Sequence, residues 1–290
     1  MERLPPTRRL VRRFVAGERA TDALSVLDTL AAQGLVSAVT YLGENVRTAA
    51  DAARATATYL ELLGQIGERK LRTTPSVKLT HLGLDLDDTL CVANLTRVVE
   101  RARAVGTYVW IDMESSRYTE RTLALYARLR PVHPNLGCVV QAYLRRTPDD
   151  VERLVELGAI VRLCKGAYHE PPGLAYPDKR DVDASYAGLA ERLLAPDAQA
   201  RGVYPGFATH DERLQRHVLD VAAARGIGRD RFELQMLYGI RHDLHAPLRA
   251  AGAPLRVLVP FGEDWYGYFM RRLAERPANL LFVLRQLGRG

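Results

Sequence analysis

The chain has 290 residues, of which 47% are hydrophobic and 26% charged, a balance typical of folded globular proteins and not of disordered ones. Its net charge of +7 comes from basic residues that are scattered along the chain, so the charge permits nucleic-acid binding without predicting it. No apolar run approaches the roughly 18 to 20 residues that a membrane-spanning helix needs, and the arginine-rich start lacks the apolar core of a signal peptide.

The cysteines indicate a reducing compartment. Cys91, Cys138 and Cys164 lie far apart in apolar segments, and their number is odd. Buried, reduced thiols of a cytoplasmic protein are therefore expected in place of a disulfide framework.

In chain order, the predicted elements begin with an N-terminal helical segment, residues 1–34, in which about Leu10–Gln33 has a helical pattern. Eight short apolar runs follow, with a helical pattern between each and the next. Their starts are about thirty residues apart, close to the length of one βα unit. The predicted strands are Val36–Leu42, Ser76–Leu82, Tyr108–Met113, Cys138–Leu144, Ile160–Cys164, Gly202–Ala208, Phe232–Leu237 and Leu255–Val259.

Strands that alternate with helices favour a parallel sheet, and eight such units favour a closed barrel over an open doubly wound sheet. A Rossmann fold is disfavoured because no Gly-x-Gly-x-x-Gly motif follows the first strand. The sequence therefore predicts an α/β protein, with one (β/α)8 TIM barrel over residues 35–290.

Polar side chains follow most of the predicted strands. Because TIM barrels build their active sites at the carboxyl ends of the strands, these residues are expected to meet at one rim. They are Glu44, Lys78, Asp112, Gln141, Arg162 with Lys165, and Thr209 with His210.

An arginine pair, Arg271 and Arg272, follows Tyr266 and Tyr268 by about one helical turn. Two adjacent guanidinium groups repel each other, and a bound carboxylate or phosphate would justify keeping them together. The alternative is a solvated helix face. The polar rim favours the first interpretation, and the residues alone indicate a barrel enzyme for a small anion.

Several segments allow two interpretations. Thr209 to Asp211 could bind a phosphate at a helix N-terminus or could simply cap that helix. Lys165-Gly166-Ala167 could approach a bound flat group, or could be an ordinary turn. Lys78 or Lys165 could also form a Schiff base, as in aldolases. No metal site is predicted, because His242 and His245 are the only close pair of potential ligands.

The motifs resemble those of the FAD-dependent proline dehydrogenase family, in its compact monofunctional bacterial form. The resemblance covers about residues 35–288, and the motifs occur in the family's order. They are Tyr41-Leu-Gly-Glu44, Ser76-Val-Lys78-Leu-Thr, Ile111-Asp112-Met113-Glu114, Val140-Gln141-Ala-Tyr-Leu, Val161-Arg162-Leu-Cys-Lys165-Gly-Ala-Tyr168, Phe207-Ala-Thr209-His210, Phe232-Glu-Leu-Gln235-Met-Leu237 and the tyrosine–arginine segment Tyr268 to Arg272.

The resemblance implies a distorted TIM barrel whose eighth helix lies over the barrel mouth, and oxidation of L-proline to Δ1-pyrroline-5-carboxylate. It also implies that Arg271, Arg272 and Lys78 hold the proline carboxylate, and that Glu44 acts as a gate by pairing with a rim arginine when the site is empty. The walls of the substrate pocket would then be Tyr168, Tyr268 and Leu237.

For the redox chemistry, the resemblance implies non-covalent FAD, with Arg162 beside the flavin N5 and Asp112 supporting the polar network near the substrate. Both are expected to be catalytic. The residues implied to contact FAD are Met113, Gln141, Arg162, Lys165, Gly166, Ala167, Thr209, His210, Gln235 and Glu275, with Lys179 as a further candidate.

The implied partners are L-proline, a quinone that accepts the electrons, and a separate downstream pyrroline-5-carboxylate dehydrogenase. No nucleic-acid partner is implied. The expected location is the cytoplasm, with peripheral contact at the inner face of the plasma membrane. Because a cationic pocket lowers the pKa of the substrate amine, activity is expected to rise with pH above neutrality.

Three positions depart from the family pattern. Leu258 stands where a tyrosine is usual, which removes a hydroxyl partner of the Asp112 network. Asp211 replaces an asparagine and brings a negative charge near the expected FAD phosphates, unless it turns away to cap the helix. His169 replaces an aromatic residue.

Three alternatives remain at this level. A flavin barrel that oxidises a proline analogue such as hydroxyproline would share the same residues. A Schiff-base aldolase would be colourless and would be trapped by borohydride. A basic nucleic-acid-binding protein would show strongly salt-dependent binding.

Overall fold

The computed structural model describes residues 11–274, which form an eight-stranded parallel barrel surrounded by helices. The strands pair in sequence order, and β8 pairs with β1 to close the barrel. Their bounds are β1 Val36–Tyr41, β2 Thr73–Val77, β3 Val109–Ile111, β4 Leu136–Gln141, β5 Ile160–Cys164, β6 Tyr204–Ala208, β7 Glu233–Leu237 and β8 Leu255–Phe261. The predicted TIM-barrel class is confirmed.

Most of the helices cover the outside of the barrel and bury an apolar face against it. A short 3-10 helix, His242–Leu244, lies between β7 and β8. The α-helices are α1 Ala20–Ala32, α2 Ala49–Glu68, α3 Asp88–Ala104, α4 Ser116–Leu129, α5 Thr147–Glu156, α6 Lys179–Leu193, α7 Pro196–Ala200, α8 Glu212–Ala224, α9 His245–Ala250 and α10 Trp265–Ala274.

The predicted second strand was placed too late in the chain. The extended segment is β2, which includes Pro75, and a buried turn follows it from Leu79 to Leu82, where two leucines flank Thr80 and His81. The prediction followed the hydrophobic residues, and Leu79 and Leu82 are as buried as strand residues although they lie in a turn.

The N-terminal residues that are described contact the closing part of the barrel. The backbone N–H of Ala16 donates to the carbonyl of Pro260, and Phe14 packs against Phe269 of α10 with ring centroids 6.2 Å apart. Helix α1 covers less of this region than predicted, since it begins at Ala20.

The three cysteines form no disulfide within residues 11–274, and Cys91 and Cys138 are buried while Cys164 is half-buried. Between residues 11 and 274, no helix is both long and apolar enough to cross a membrane.

Candidate functional site

A cavity of about 680 Å³ opens at the carboxyl ends of the strands and is covered on one side by α10. Every predicted site residue within the described range lines it except Glu44, which is paired with the lining residue Lys78. Glu275 lies outside the described residues. Barrel closure therefore brings together side chains that are up to about two hundred positions apart in sequence.

Arg162 is a buried cation of the cavity lining. It extends from β5 into the barrel, where Nη1 donates to Asp112 Oδ1 at 2.8 Å and to Ser76 Oγ at 2.9 Å. Ser76 Oγ in turn donates to Asp112 Oδ1 at 2.6 Å, and the guanidinium lies 4.5 Å from the Trp110 ring centre. Burial lowers the pKa of Arg162, with the Asp112 charge opposing the shift. Arg162, Asp112 and Ser76 thus bond to one another, and the two smaller side chains hold the guanidinium in one orientation.

Two guanidinium atoms of Arg162, Nε and Nη2, are buried and have no hydrogen-bond partner among the described residues. Buried N–H groups are seldom left without an acceptor, because the desolvation penalty is about 1–3 kcal/mol. Arg162 also lines the cavity, so a bound group that reached these two donors would supply the missing acceptors.

A second cationic group lies under α10. Lys78 Nζ is 2.6 Å from Glu44 Oε2, and Arg271 Nη1 is 3.7 Å from Glu44 Oε1, so the predicted pairing of Glu44 with a rim arginine is present. Burial would raise the pKa of Glu44, but the Lys78 ammonium overrides it and holds that pKa below its usual range. The carboxylate is therefore ionised between two cations.

The arginine pair lies against the two predicted wall tyrosines. The Arg271 guanidinium is 5.5 Å from the centre of the Tyr168 ring, and that of Arg272 is 5.0 Å from the Tyr268 ring. Arg272 is only 7% exposed, which excludes the alternative of a solvated arginine face for this residue. Leu237 completes this part of the lining.

A separate cluster of charged residues lies at the same rim, around Lys165. Lys165 Nζ is 2.6 Å from Asp183 Oδ1 and 3.2 Å from Asp211 Oδ2, and Lys179 pairs with the same two carboxylates. Asp211 also caps α8 by accepting from the backbone N–H of Arg213 at 3.1 Å. Burial opposes its ionisation, yet Lys165 brings the pKa of Asp211 to about 2. Asp211 thus caps its helix and also binds the rim lysines.

Three polar residues lie deeper in the lining, each with an internal partner. His210 Nε2 accepts from the backbone N–H of Leu237 at 2.9 Å, which fixes the acceptor nitrogen of the ring. Gln141 Nε2 donates to the carbonyl of Glu114 at 3.0 Å, and Gln235 Nε2 donates to Glu233 Oε1 at 2.6 Å. Each side chain therefore has a fixed orientation before any ligand binds.

Gly166 packs against Tyr143, a neighbour that the sequence did not indicate. A Cβ at this position would lie 2.3 Å from the Tyr143 ring, and its φ of +122° is a conformation that side chains disfavour. Glycine is thus required by the packing of the chain against itself, although Gly166 also lines the cavity.

Sequence reasoning missed Ser76, Trp110 and Asp183. Ser76 is two residues before Lys78, and this alternate spacing was the one signal that could have placed both on the same face. Trp110 and Asp183 carry no local signal, because their roles depend on contacts between distant segments.

In the range 11–274, no group of three or more histidine, cysteine, aspartate or glutamate side chains could hold a metal ion. The rings of His242 and His245 instead pack edge to face, with centroids 5.1 Å apart.

The chain is similar to known proteins over nearly all of its length. A family model described as proline dehydrogenase matches residues 23–285. The sequence is 37% identical over 273 residues to "Proline dehydrogenase 2" of Bacillus subtilis (strain 168), covering 94% of this chain and 88% of that protein. It is 37% identical over 286 residues to "Proline dehydrogenase" of Deinococcus radiodurans, covering 97% of this chain and 91% of that protein.

A solved structure shares the fold. The structure of proline utilization A from Bdellovibrio bacteriovorus superposes with a TM-score of 0.84 at 26% identity, covering 91% of this chain. The match covers 32% of that longer protein, so this chain corresponds to about a third of it.

Proposed function

The chain belongs to the proline dehydrogenase family, and we propose that it oxidises L-proline to Δ1-pyrroline-5-carboxylate, the first step of proline catabolism. Non-covalent FAD is the proposed electron acceptor within the protein, and a membrane quinone is the proposed final acceptor. The observation that carries the proposal is the pair of cations, Lys78 and Arg271, that already holds a carboxylate, that of Glu44, beside the cavity.

Glu44 supports the assignment of the carboxylate site. Its two oxygens each meet one cation, which is the arrangement that a substrate carboxylate would adopt in its place. Arg272 adds a third positive group in the same lining. In the proposed complex, proline displaces Glu44, and Tyr168, Tyr268 and Leu237 enclose its ring.

The residues of the cavity fit FAD. The unpartnered Nε and Nη2 of Arg162 offer two buried donors to an electron-rich group, and the rim cations Lys165 and Lys179 suit a pyrophosphate. The further contacts proposed for FAD are Met113, Gln141, Gly166, Ala167, Thr209, His210, Gln235 and, beyond the described residues, Glu275.

In the reaction, C5 of proline loses a hydride and the ring nitrogen loses a proton, so that a C=N bond forms. When bound, FAD accepts the two electrons of the hydride. The part of the chain is to orient the ring through its carboxylate, and this positioning accounts for much of the rate. Arg162, held by Asp112 and Ser76, stabilises negative charge that develops beside it.

The substrate amine must be neutral for this step, because a protonated nitrogen has no lone pair. The cations around the carboxylate disfavour a positive charge on the nearby nitrogen and so lower its pKa. Activity is therefore expected to rise with pH above neutrality, and a flat or acid-favoured profile would contradict this mechanism.

We further propose that a separate enzyme consumes the pyrroline-5-carboxylate. The proposed location is the cytoplasm, with peripheral contact at the inner face of the plasma membrane, where the quinone is available. No nucleic-acid partner is proposed.

A second candidate substrate is a proline analogue such as hydroxyproline. Leu258 lines the cavity and offers neither a hydrogen bond nor a bulky aromatic ring to the substrate. A comparison of kcat/KM for proline and hydroxyproline separates the two candidates.

The first experiment is an absorption spectrum of the purified protein, followed by anaerobic addition of L-proline. Flavin bands that bleach on addition support both cofactor and substrate. Bands that stay oxidised would exclude proline and direct the search to analogues. A colourless protein that FAD does not reconstitute would contradict the proposal as a whole.

A further inference from the structure

Thr80 fastens the loop that carries Glu44 to the turn that carries Lys78. The backbone N–H of Asn45 donates to Thr80 Oγ1 at 2.9 Å, and that of Val46 donates to the Thr80 carbonyl at 3.3 Å. Thr80 is fully buried, and it is two residues from Lys78, while Asn45 directly follows Glu44. The two charged side chains of the Glu44–Lys78 pair are thus tied together through their backbones.

Glu114 braces Thr80 from the next loop. Its Oε1 accepts from the Thr80 backbone N–H at 3.1 Å, and its Oε2 accepts from Thr80 Oγ1. An N–H group can only donate, so Asn45 uses Oγ1 as an acceptor and the hydroxyl hydrogen points to Glu114. The threonine hydroxyl is therefore used in both directions, which fixes its rotamer.

The loop has a conformation that needs such support. Asn45 has a φ of +53°, in the left-handed region that residues other than glycine seldom adopt. Its side-chain Oδ1 lies 3.0 Å from the Tyr118 hydroxyl, which is also 2.7 Å from Asp85 Oδ2, and its N–H is held by Thr80. Without the Thr80 hydroxyl, this N–H would lose its acceptor and the loop would have fewer restraints on where Glu44 lies.

We propose that Thr80, braced by Glu114, is a positioning residue that sets the strength of the Glu44–Lys78 pair and, through it, the affinity for the substrate carboxylate. The inference rests on the proposed function, in which proline displaces Glu44 from Lys78 and Arg271. Glu44 is an internal competitor for these cations, and it competes best when its loop is held in place. Loosening the loop therefore weakens the competitor and favours the substrate.

The test compares Thr80→Val with Thr80→Ser in steady-state oxidation of L-proline by the FAD-loaded enzyme. Valine keeps the shape and removes the hydroxyl, so the KM for proline is expected to fall by about threefold to tenfold, with kcat within about twofold of wild type. Serine keeps the hydroxyl and is expected to keep the wild-type KM. Glu114→Gln, which removes the charged acceptor of the same hydroxyl, is expected to lower KM in the same direction by a smaller factor.

Two controls separate positioning from general damage. Thr122 is fully buried in α4, and its hydroxyl has no partner among the described residues. Thr122→Val makes the same chemical change and is expected to leave KM unchanged. In a Glu44→Gln background the internal competitor is already removed. There, Thr80→Val should no longer change KM, because a residue that acts through Glu44 cannot act without it.

The outcomes are distinct. If the wild-type enzyme does not oxidise proline, the proposed function fails and this inference fails with it. If the wild type is active but Thr80→Val leaves KM unchanged or raises it, only the inference is overturned. An equal change of KM in the Glu44→Gln background would also overturn it, since Thr80 would then act independently of Glu44.

Discussion

At the scale of single residues, the orientation of Arg162 depends on Ser76 as much as on Asp112. A buried guanidinium that binds one carboxylate at a single nitrogen could rotate about that contact, and the 2.9 Å contact to Ser76 Oγ restricts this rotation. The free Nε and Nη2 donors then face a constant direction. Such preorganised donors stabilise developing charge without reorganising during the reaction.

Ser76→Ala is therefore expected to lower kcat for proline about tenfold, since hydrogen bonds to charged groups are worth about 1.5–3 kcal/mol and only part of this is specific to the transition state. Steady-state kinetics checks it. Ser37→Ala is the matched control, because Ser37 is also buried in a strand but bonds to Thr73 at 2.7 Å, away from the cavity. Equal losses of kcat in both variants would contradict the role of Ser76.

His81 gives the protein an acid-sensitive contact. It is 6% exposed, its ring centroid is 5.1 Å from that of Tyr41, and burial together with the Lys78 charge lowers its pKa from 6.5 to about 4. The unfolded chain therefore binds more protons than the folded one between these two pH values. The contribution of neutral His81 to the free energy of unfolding is fully present above pH 6.5. It decreases as the pH falls towards 4, by up to about 3 kcal/mol.

The prediction is that His81→Phe removes this part of the pH dependence, because phenylalanine keeps a ring beside Tyr41 but does not titrate. The measurement is the free energy of unfolding by urea at a series of pH values from 7 to 4. Parallel curves for the wild type and the variant would show that His81 does not contribute.

The sequence identified the charged and aromatic residues of the site better than their small partners. Arginine pairs, lysines and tyrosines after strands are conspicuous, and all of those predicted within the described range line the cavity. A serine within a strand has no such signal, because its role depends on side chains of two other strands. Gly166 illustrates the limit: its sequence indicated a close approach, but only the fold shows that the neighbour is Tyr143.

At the scale of elements, the start of α8 combines helix capping with the rim charges. Asp211 accepts from the N–H of Arg213 and also binds Lys165, so its carboxylate neutralises part of the positive rim. Asp211→Asn keeps a capping oxygen and removes the charge. The rim lysines then have one fewer internal partner and are more available to the phosphates of FAD.

The dissociation constant of FAD is accordingly expected to fall about threefold to tenfold in Asp211→Asn, and more at low than at high salt, because the gain is electrostatic. Titration of the apoprotein, followed by flavin fluorescence at two salt concentrations, measures it. Asp230→Asn, a change of the same kind in the loop before β7 and outside the cavity lining, is the control. Weaker FAD binding in Asp211→Asn would contradict the prediction.

The loop after β7 shows how closely the N-terminal segment packs on the barrel. A Cβ at Gly239 would lie 1.7 Å from the carbonyl oxygen of Arg13, and the backbone has a φ of +79°. Gly252 has a similar φ of +68°, but nothing lies within 4 Å of its Cβ position. A comparison of the two glycines therefore separates the cost of backbone strain from the cost of steric crowding.

Gly252→Ala is expected to cost about 1 kcal/mol of unfolding free energy from strain alone, whereas Gly239→Ala should cost at least about 2 kcal/mol more, because the N-terminal segment must move. Chemical denaturation of both variants measures the difference. Equal losses would mean that the contact with Arg13 adds nothing to stability.

Element positions were predictable where hydrophobic pattern and structure agree. β5 was predicted at its observed bounds, because the apolar run in the sequence begins and ends where the strand does. β2 was not, because Pro75 interrupts an otherwise strand-forming segment, while Leu79 and Leu82 in the turn after it are buried like strand residues. Proline is tolerated there although it cannot donate a backbone hydrogen bond, a local exception that pattern rules do not anticipate.

At the scale of the whole molecule, closure of the barrel assembles the site. Glu44 follows β1 and Arg271 follows β8, and they meet because these two strands pair along six residues from Val36 to Tyr41. The alternation of strands and helices predicted this closure and therefore the shared rim. It did not predict the distances within the rim, which depend on the registers of all eight strand pairs.

Ligand binding to such a site should stabilise the entire barrel. The cavity is lined by residues from strands or loops around the whole circumference of the barrel. Unfolding separates these residues, so a ligand of the cavity binds only the folded chain. FAD at a hundred times its dissociation constant is then expected to add about 2.7 kcal/mol to the unfolding free energy. For a chain of this length, that corresponds to a rise in melting temperature of about 4 °C.

Differential scanning calorimetry of the apoprotein with and without FAD measures this rise. The rise should be smaller in Arg162→Met, which removes the two free donors while keeping most of the buried volume. If FAD left the melting temperature unchanged, the cavity would not be its binding site; if the variant and the wild type shifted equally, Arg162 would not contact FAD.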